Sequence, residues 1–202
     1  ENYKDIIPES APKIKVELMT TTELLIKKID KTSGSTMEEK INNLKKQDKI
    51  SITCMSAYFN GHFENDIFHL DKLSIIIDID QMSTWLLERF CEFDKALDEL
   101  KMMCRHEVGH IIDYCTWEGK SKEEVLGILK RRDDELNDIL NNHDNIDAVT
   151  YENLYNNMER ERTADLYGEV DQNKMSVSHM ILDKMDNNVT SIIEITTSNN
   201  KD

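Results

Sequence analysis

An α+β fold is predicted: a small mixed sheet, then a helix carrying the motif discussed below, then a helical C-terminal lobe. Three observations predict it. Residues 49–80 are rich in β-branched and aromatic side chains and hold turn signals, as strands require. After Ser83 apolar residues recur at helical spacing almost to residue 170. The chain has 202 residues, 39% of them hydrophobic, enough for one domain with a real core. We read 1–202 as a single domain, with a strand and helices in 1–48, the sheet and the motif helix in 49–117, and the helical lobe in 118–202.

In chain order, residues 1–12 hold both prolines, Pro8 and Pro12, and read as an extended lead-in. "KIKVELM" (13–19) alternates and suits a first strand. "TTELLIKKIDK" (21–31) is helical, with a Thr cap before Glu23. "SGST" (33–36) is a loop, and Thr36 can cap a helix over 37–47. "KISITCMSAYF" (49–59) is a strand, Asn60-Gly61 a strong turn signal, and "IFHLDKLSIIIDID" (67–80) one or two further strands. The pattern from Thr84 to Trp117 is long for one helix, so a break is expected near Phe93-Asp94. "EGKS" (118–121) interrupts, and Ser121 with Glu124 forms the capping pattern that opens a helix over 121–142. A loop over 141–147 precedes a helix over 149–170. A short helix over 176–188 and a strand over 191–195 complete the reading.

Net charge is -15, and the acids are interleaved with lysines. That opposes binding to nucleic-acid phosphates or to an anionic membrane surface, both of which need clustered Lys and Arg. No apolar run of membrane-spanning length and no signal peptide is visible, so a cytoplasmic or virion-associated location is expected. The four cysteines, Cys54, Cys91, Cys104 and Cys115, form no CxxC pair and read as free, buried thiols of a reducing compartment.

The stretch "KMMCRHEVGHIIDYC" (101–115) contains H-E-x-x-H. On a helix, residues i and i+4 share a face, so His106 and His110 point the same way. Two imidazoles at that spacing can grip one Zn²⁺. Glu107 points beside the metal, where a carboxylate can act as general base in metal-assisted hydrolysis. Gly109 keeps the helix slim beside the second histidine, at about 1 kcal/mol of helix propensity relative to Ala. The neighbours Met102, Met103, Val108, Ile111 and Ile112 are apolar, and polar groups on such a helix are costly unless something satisfies them. A metal would satisfy them.

A catalytic zinc usually has three protein ligands and one open position. "MERERTADLYGE" (158–169) offers Glu159, Glu161 and Asp165, of which Glu161 is preferred. Glu161 and Asp165 stand i and i+4, so Asp165 can hold the far nitrogen of a ligand histidine. Without the histidine motif, this segment would read as a solvated face of alternating charge.

"HEVGH" followed by "ERTAD" resembles the zincin metallopeptidases of the gluzincin type, with HExxH on one helix and ExxxD on the next. Short bacterial and phage-borne peptidases of the ImmA/IrrE type are similar. "HEVGHIID" also resembles the HExGHxxD helix of the anthrax lethal factor-like peptidases, which singles out Asp113 as a second supporting carboxylate. The resemblance covers residues 101–170. It implies a zincin-like architecture, zinc held by His106, His110 and Glu161, and Glu107 as the catalytic base. It also implies a Tyr or His that stabilises the oxyanion. Tyr151, Tyr155, Tyr167 and His179 are available, and Tyr155 is nearest the expected spacing. "LSIIIDID" (73–80) is the expected edge strand that aligns an extended substrate. The function expected is a zinc-dependent peptidase acting on a protein or peptide. The alternative is an inactive zincin-like protein in a larger assembly, such as a phage particle.

Overall fold

The computed structural model describes residues 7, 9–40, 54–88, 92–142 and 146–170. The expectations for 41–53, Cys91, 176–188 with His179, and 191–195 lie outside the described residues. Among those described, the protein is mixed α+β with a small three-stranded sheet.

Strand β1 (Ile14–Met19) leads directly into helix α1 (Thr21–Lys31). Thr20 caps α1 reciprocally with Glu23, so two of the helix's orphan amides find partners. Residues 37–40 are helical after Thr36, whose hydroxyl accepts from the Glu39 amide at 3.1 Å.

Strands β2 (Met55–Glu64) and β3 (Ile67–Asp78) form an antiparallel hairpin. β3 is central, in the order β1-β3-β2, with β1 parallel to it. Two expectations fail here. Asn60-Gly61 is not the turn: β2 runs through it with a bulge, and the chain reverses at Asn65 and Asp66, whose φ values are 50° and 62°. Two consecutive left-handed residues make the tight hairpin turn, for which Asn and Asp are tolerated. Gly61 is there for close approach, since a Cβ would strike the Phe68 ring and stand 2.6 Å from the His69 carbonyl oxygen. Nor is 73–80 an edge strand. Leu73 to Asp78 pair with β1 on one side, and Leu73 to Ile77 pair with β2 on the other, so their backbone is already used.

The strand stops at Asp78 because its carboxylate starts a helix. Oδ1 accepts from the Asp80 and Gln81 amides at 3.0 and 3.1 Å, and the Thr21 hydroxyl bonds the same group. Helix α2 (Ile79–Glu88) therefore takes in Ile79 and Asp80, which the sequence reading gave to a strand. Helix α3 restarts at Phe93 and runs to Cys115, with the break where expected.

Its inner face builds the core with the sheet. Met55, Phe68, Leu70, Leu73 and Ile75 meet Ile111, Tyr114, Cys115 and Trp117, joined by Val125. The Phe59 ring lies 4.6 Å from Tyr114 and 5.1 Å from Trp117. Cys115 is buried and Cys54 partly buried, whereas Cys104 is exposed, on the outer side of α3.

Helix α4 (Lys122–Asn142) opens with the Ser121–Glu124 box. The predicted helix over 149–170 is two helices, α5 (Ala148–Asn156) and α6 (Glu159–Gly168). Met158 is buried with an extended ψ of 146°, so it breaks the helix while filling the lobe's core with Ile139, Tyr151 and Tyr155. Glu135 of α4 accepts from the Glu159 amide at 2.8 Å and caps α6 from outside. Among the described residues, no helix is long and apolar enough to cross a membrane.

The turn position is testable. Asp66→Gly relieves a left-handed residue and is expected to raise stability by about 0.5–1 kcal/mol. Gly61→Ala is expected to lower it by about 1–3 kcal/mol. Chemical denaturation measures both, and equal effects of the two changes would put the reversal elsewhere.

Candidate metal centre

Helices α3 and α6 meet backbone to backbone. A Cβ on Gly109 would collide with the Ala164 carbonyl and stand 2.9 Å from the Gly168 nitrogen. A Cβ on Gly168 would collide with the Arg105 carbonyl and stand 3.2 Å from the His106 nitrogen. The two glycines thus let the turn holding His106 and His110 lie directly against the turn holding Glu161 and Asp165.

That contact gathers three donors. His106, His110 and Glu161 are buried, and one ligand atom from each lies within 4.8 Å of the others, so the group could hold a metal ion. His106 Nε2 stands 3.1 Å and His110 Nε2 3.5 Å from Glu161 Oε2. Donors at ~2.1 Å from a tetrahedral ion are about 3.4 Å apart, so these spacings suit the edges of such a site. His106 Nδ1 lies 2.7 Å from Asp165 Oδ1, which leaves Nε2 turned toward Glu161.

Electrostatics favour a cation here. Burial works against a charged His106, but Asp165 and Glu161 outweigh it and lift its pKa to about 10. Burial also opposes ionised Glu161, yet His106, His110 and Arg160 hold it well below the carboxylate range. Burial pushes His110 downward, favouring the neutral imidazole that ligates. Burial raises Glu107 to about 7, partly offset by His106 and the Ala57 amide on β2. Glu107 Oε2 and His110 Nδ1 are buried without a hydrogen-bond partner among the described residues. Orphaned polar atoms are costly in a core and point to something they serve.

The other expected residues fall as follows. Glu159 faces Arg131 and Arg132, both at 3.5 Å, away from the histidines. Among the described residues Asp113 meets an arginine rather than a histidine. It meets Arg132 Nη1 at 2.6 Å in a buried pair that ties α3 to α4, with the guanidinium over the Trp117 ring at 5.2 Å. Tyr155 is buried, and its hydroxyl accepts from Arg160 Nη2 at 3.0 Å, one residue from Glu161. Outside the expected set, His62 and His69 lie together on the hairpin, bonded to Asp71 and Glu118.

Sequence reasoning missed two neighbours of the centre. Tyr114 stacks on His110 at 6.3 Å, a relation that its i+4 spacing could have suggested. Arg160 grips Glu161, although adjacent residues on a helix ordinarily diverge, and an E-R-E-R run reads as solvated.

No family model matches the chain, and no curated protein or solved structure matches it.

Gly109→Ala is expected to separate the helices, lower metal affinity at least tenfold and cost about 1–3 kcal/mol in stability. Wild-type affinity in this variant would show that the close approach does not govern the site. Divalent metal must also displace the His106 proton. Below a pKa of about 10 that imidazole is charged in the metal-free protein, so affinity rises with pH toward that value. Calorimetry at pH 8 in buffers of different ionisation enthalpy should give at least one proton released per ion. A heat independent of buffer would contradict it.

Proposed function

We propose that this chain is a zinc-dependent peptidase of zincin type, hydrolysing peptide bonds in a protein or peptide substrate. The observation that carries the reading is a buried carboxylate, Glu107, set beside a buried two-histidine, one-carboxylate group and raised to about 7. Two nitrogens and one oxygen at these spacings suit zinc with a position left for a reactant. A zinc ion held there would act as a Lewis acid toward water and toward a substrate carbonyl.

The chain's own groups supply the rest. Glu107 accepts the proton of the attacking water at Oε2, the oxygen with no partner among the described residues, and later delivers it to the leaving amine. A base with a pKa near 7 is matched to that shuttle at neutral pH. Tyr155 is the candidate donor to the oxygen of the scissile carbonyl. The strand beside the site is β2, whose Ala57 amide meets Glu107. On its other side β2 carries no strand among the described residues, so an extended peptide could pair there in the role first expected of 73–80.

Glu107→Gln is expected to keep about one zinc per chain and to lose at least ~100-fold in peptide hydrolysis. Elemental analysis and a broad peptide library test both halves. Unchanged turnover in Glu107→Gln, or no zinc in the wild type, overturns the proposal. Stoichiometric zinc without cleavage of any peptide would favour a structural protein in a larger assembly.

A further inference from the structure

Arg160 has no part in the reading above, yet it touches two of its residues. Its Nε donates to Glu161 Oε1 at 2.8 Å, and its Nη2 reaches the same oxygen at 2.7 Å. The same Nη2 donates to the Tyr155 hydroxyl at 3.0 Å. Glu161 Oε2, in contrast, faces both histidines. The carboxylate is therefore divided, one oxygen to the guanidinium and the other to the metal-binding nitrogens. Consecutive residues on a helix point in different directions, so Arg160 must fold its stem back to make this contact. A planar fork can hold one carboxylate oxygen and a hydroxyl together in a way that a point charge cannot.

We infer that Arg160 is a positioning residue that restricts Glu161 to one-oxygen ligation and sets the Tyr155 hydroxyl beside it. The inference rests on the metal-centre reading and deepens it. A carboxylate freed from the guanidinium can swing both oxygens onto an ion. Two-oxygen ligation would then fill the position that a catalytic site keeps for its reactant. Arg160 thus protects the open position without touching the ion.

The test is the visible absorption of the cobalt-substituted protein, which reports coordination number, together with zinc affinity by chelator competition. Wild type, Arg160→Gln, Arg160→Lys and Tyr155→Phe are compared. Arg160→Gln should lose roughly half of the cobalt band as coordination rises. Its zinc affinity should fall about 10- to 100-fold. Arg160→Lys restores the charge but not the fork, so affinity should partly recover while the spectrum stays like that of Arg160→Gln. A merely structural role would not separate the two readouts. Tyr155→Phe removes a hydroxyl that itself bonds Glu161 but leaves the guanidinium fork in place, so its spectrum should depart from wild type less than that of Arg160→Gln. If Arg160→Gln does not fold, Arg160→Lys carries the comparison alone. Wild-type spectra in the Arg160 variants, with metal bound, overturn the inference and leave the metal centre standing. A wild type that takes up neither zinc nor cobalt overturns both.

Discussion

The contact between α3 and α6 is made by backbone, at Gly109 against Ala164 and at Gly168 against Arg105. Side chains between two helices normally keep their axes about 8–10 Å apart. Removing them at both crossing points lets a carboxylate on one helix reach imidazoles on the other with short side chains. His106, His110, Glu161 and Asp165 all sit within one turn of this crossing. Their geometry is thus set by two residues that carry no chemistry. Packing of this kind is stiff, because backbone cannot re-pack as a side chain can.

The same crossing buries charge, and the site must balance it. Glu161 and Asp165 bring negative charge among low-polarity surroundings, and His106 and Arg160 answer it. The distribution is uneven in a useful way. His106 takes Asp165 on one nitrogen and Glu161 on the other, while His110 is held neutral by burial. Glu161 at the first turn of α6 also gains from the positive end of that helix. A divalent ion in place of the His106 proton would add one positive charge, which an ionised Glu107 would offset, while satisfying groups that now lean on one another. Glu107 stands apart, poised between its two charge states.

The rest of the fold supports that crossing from outside. The sheet and the aromatic set of Phe59, Tyr114 and Trp117 fix the inner face of α3. Arg132, paired with Asp113 and near Glu159, links α3, α4 and α6. Glu135 ends the amides of α6, and Met158 breaks the chain so that α6 can turn onto α3. Asp113 therefore serves the site at a distance, by holding helices rather than histidines.

Local patterns were legible in the sequence by itself. The i, i+4 histidines, the Glu161–Asp165 pair, the capping boxes at Thr20 and Ser121 and the break before Phe93 all follow from helical periodicity and short-range hydrogen bonds. These interactions span four residues or fewer, so the linear text contains both partners. What spans tens of residues was not legible. Which strand is central depends on pairing between β1 and β3, which lie some sixty residues apart in the chain. The turn at Asn65-Asp66 won over Asn60-Gly61 because Gly61 was needed against Phe68 and His69. Asp113 chose Arg132, and Arg160 chose Glu161, because burial leaves a charge to the partner that packing delivers. The sequence by itself determined the donors and their spacing along each helix. Only the tertiary structure decided which oxygen meets which nitrogen, since that depends on how closely two backbones can approach.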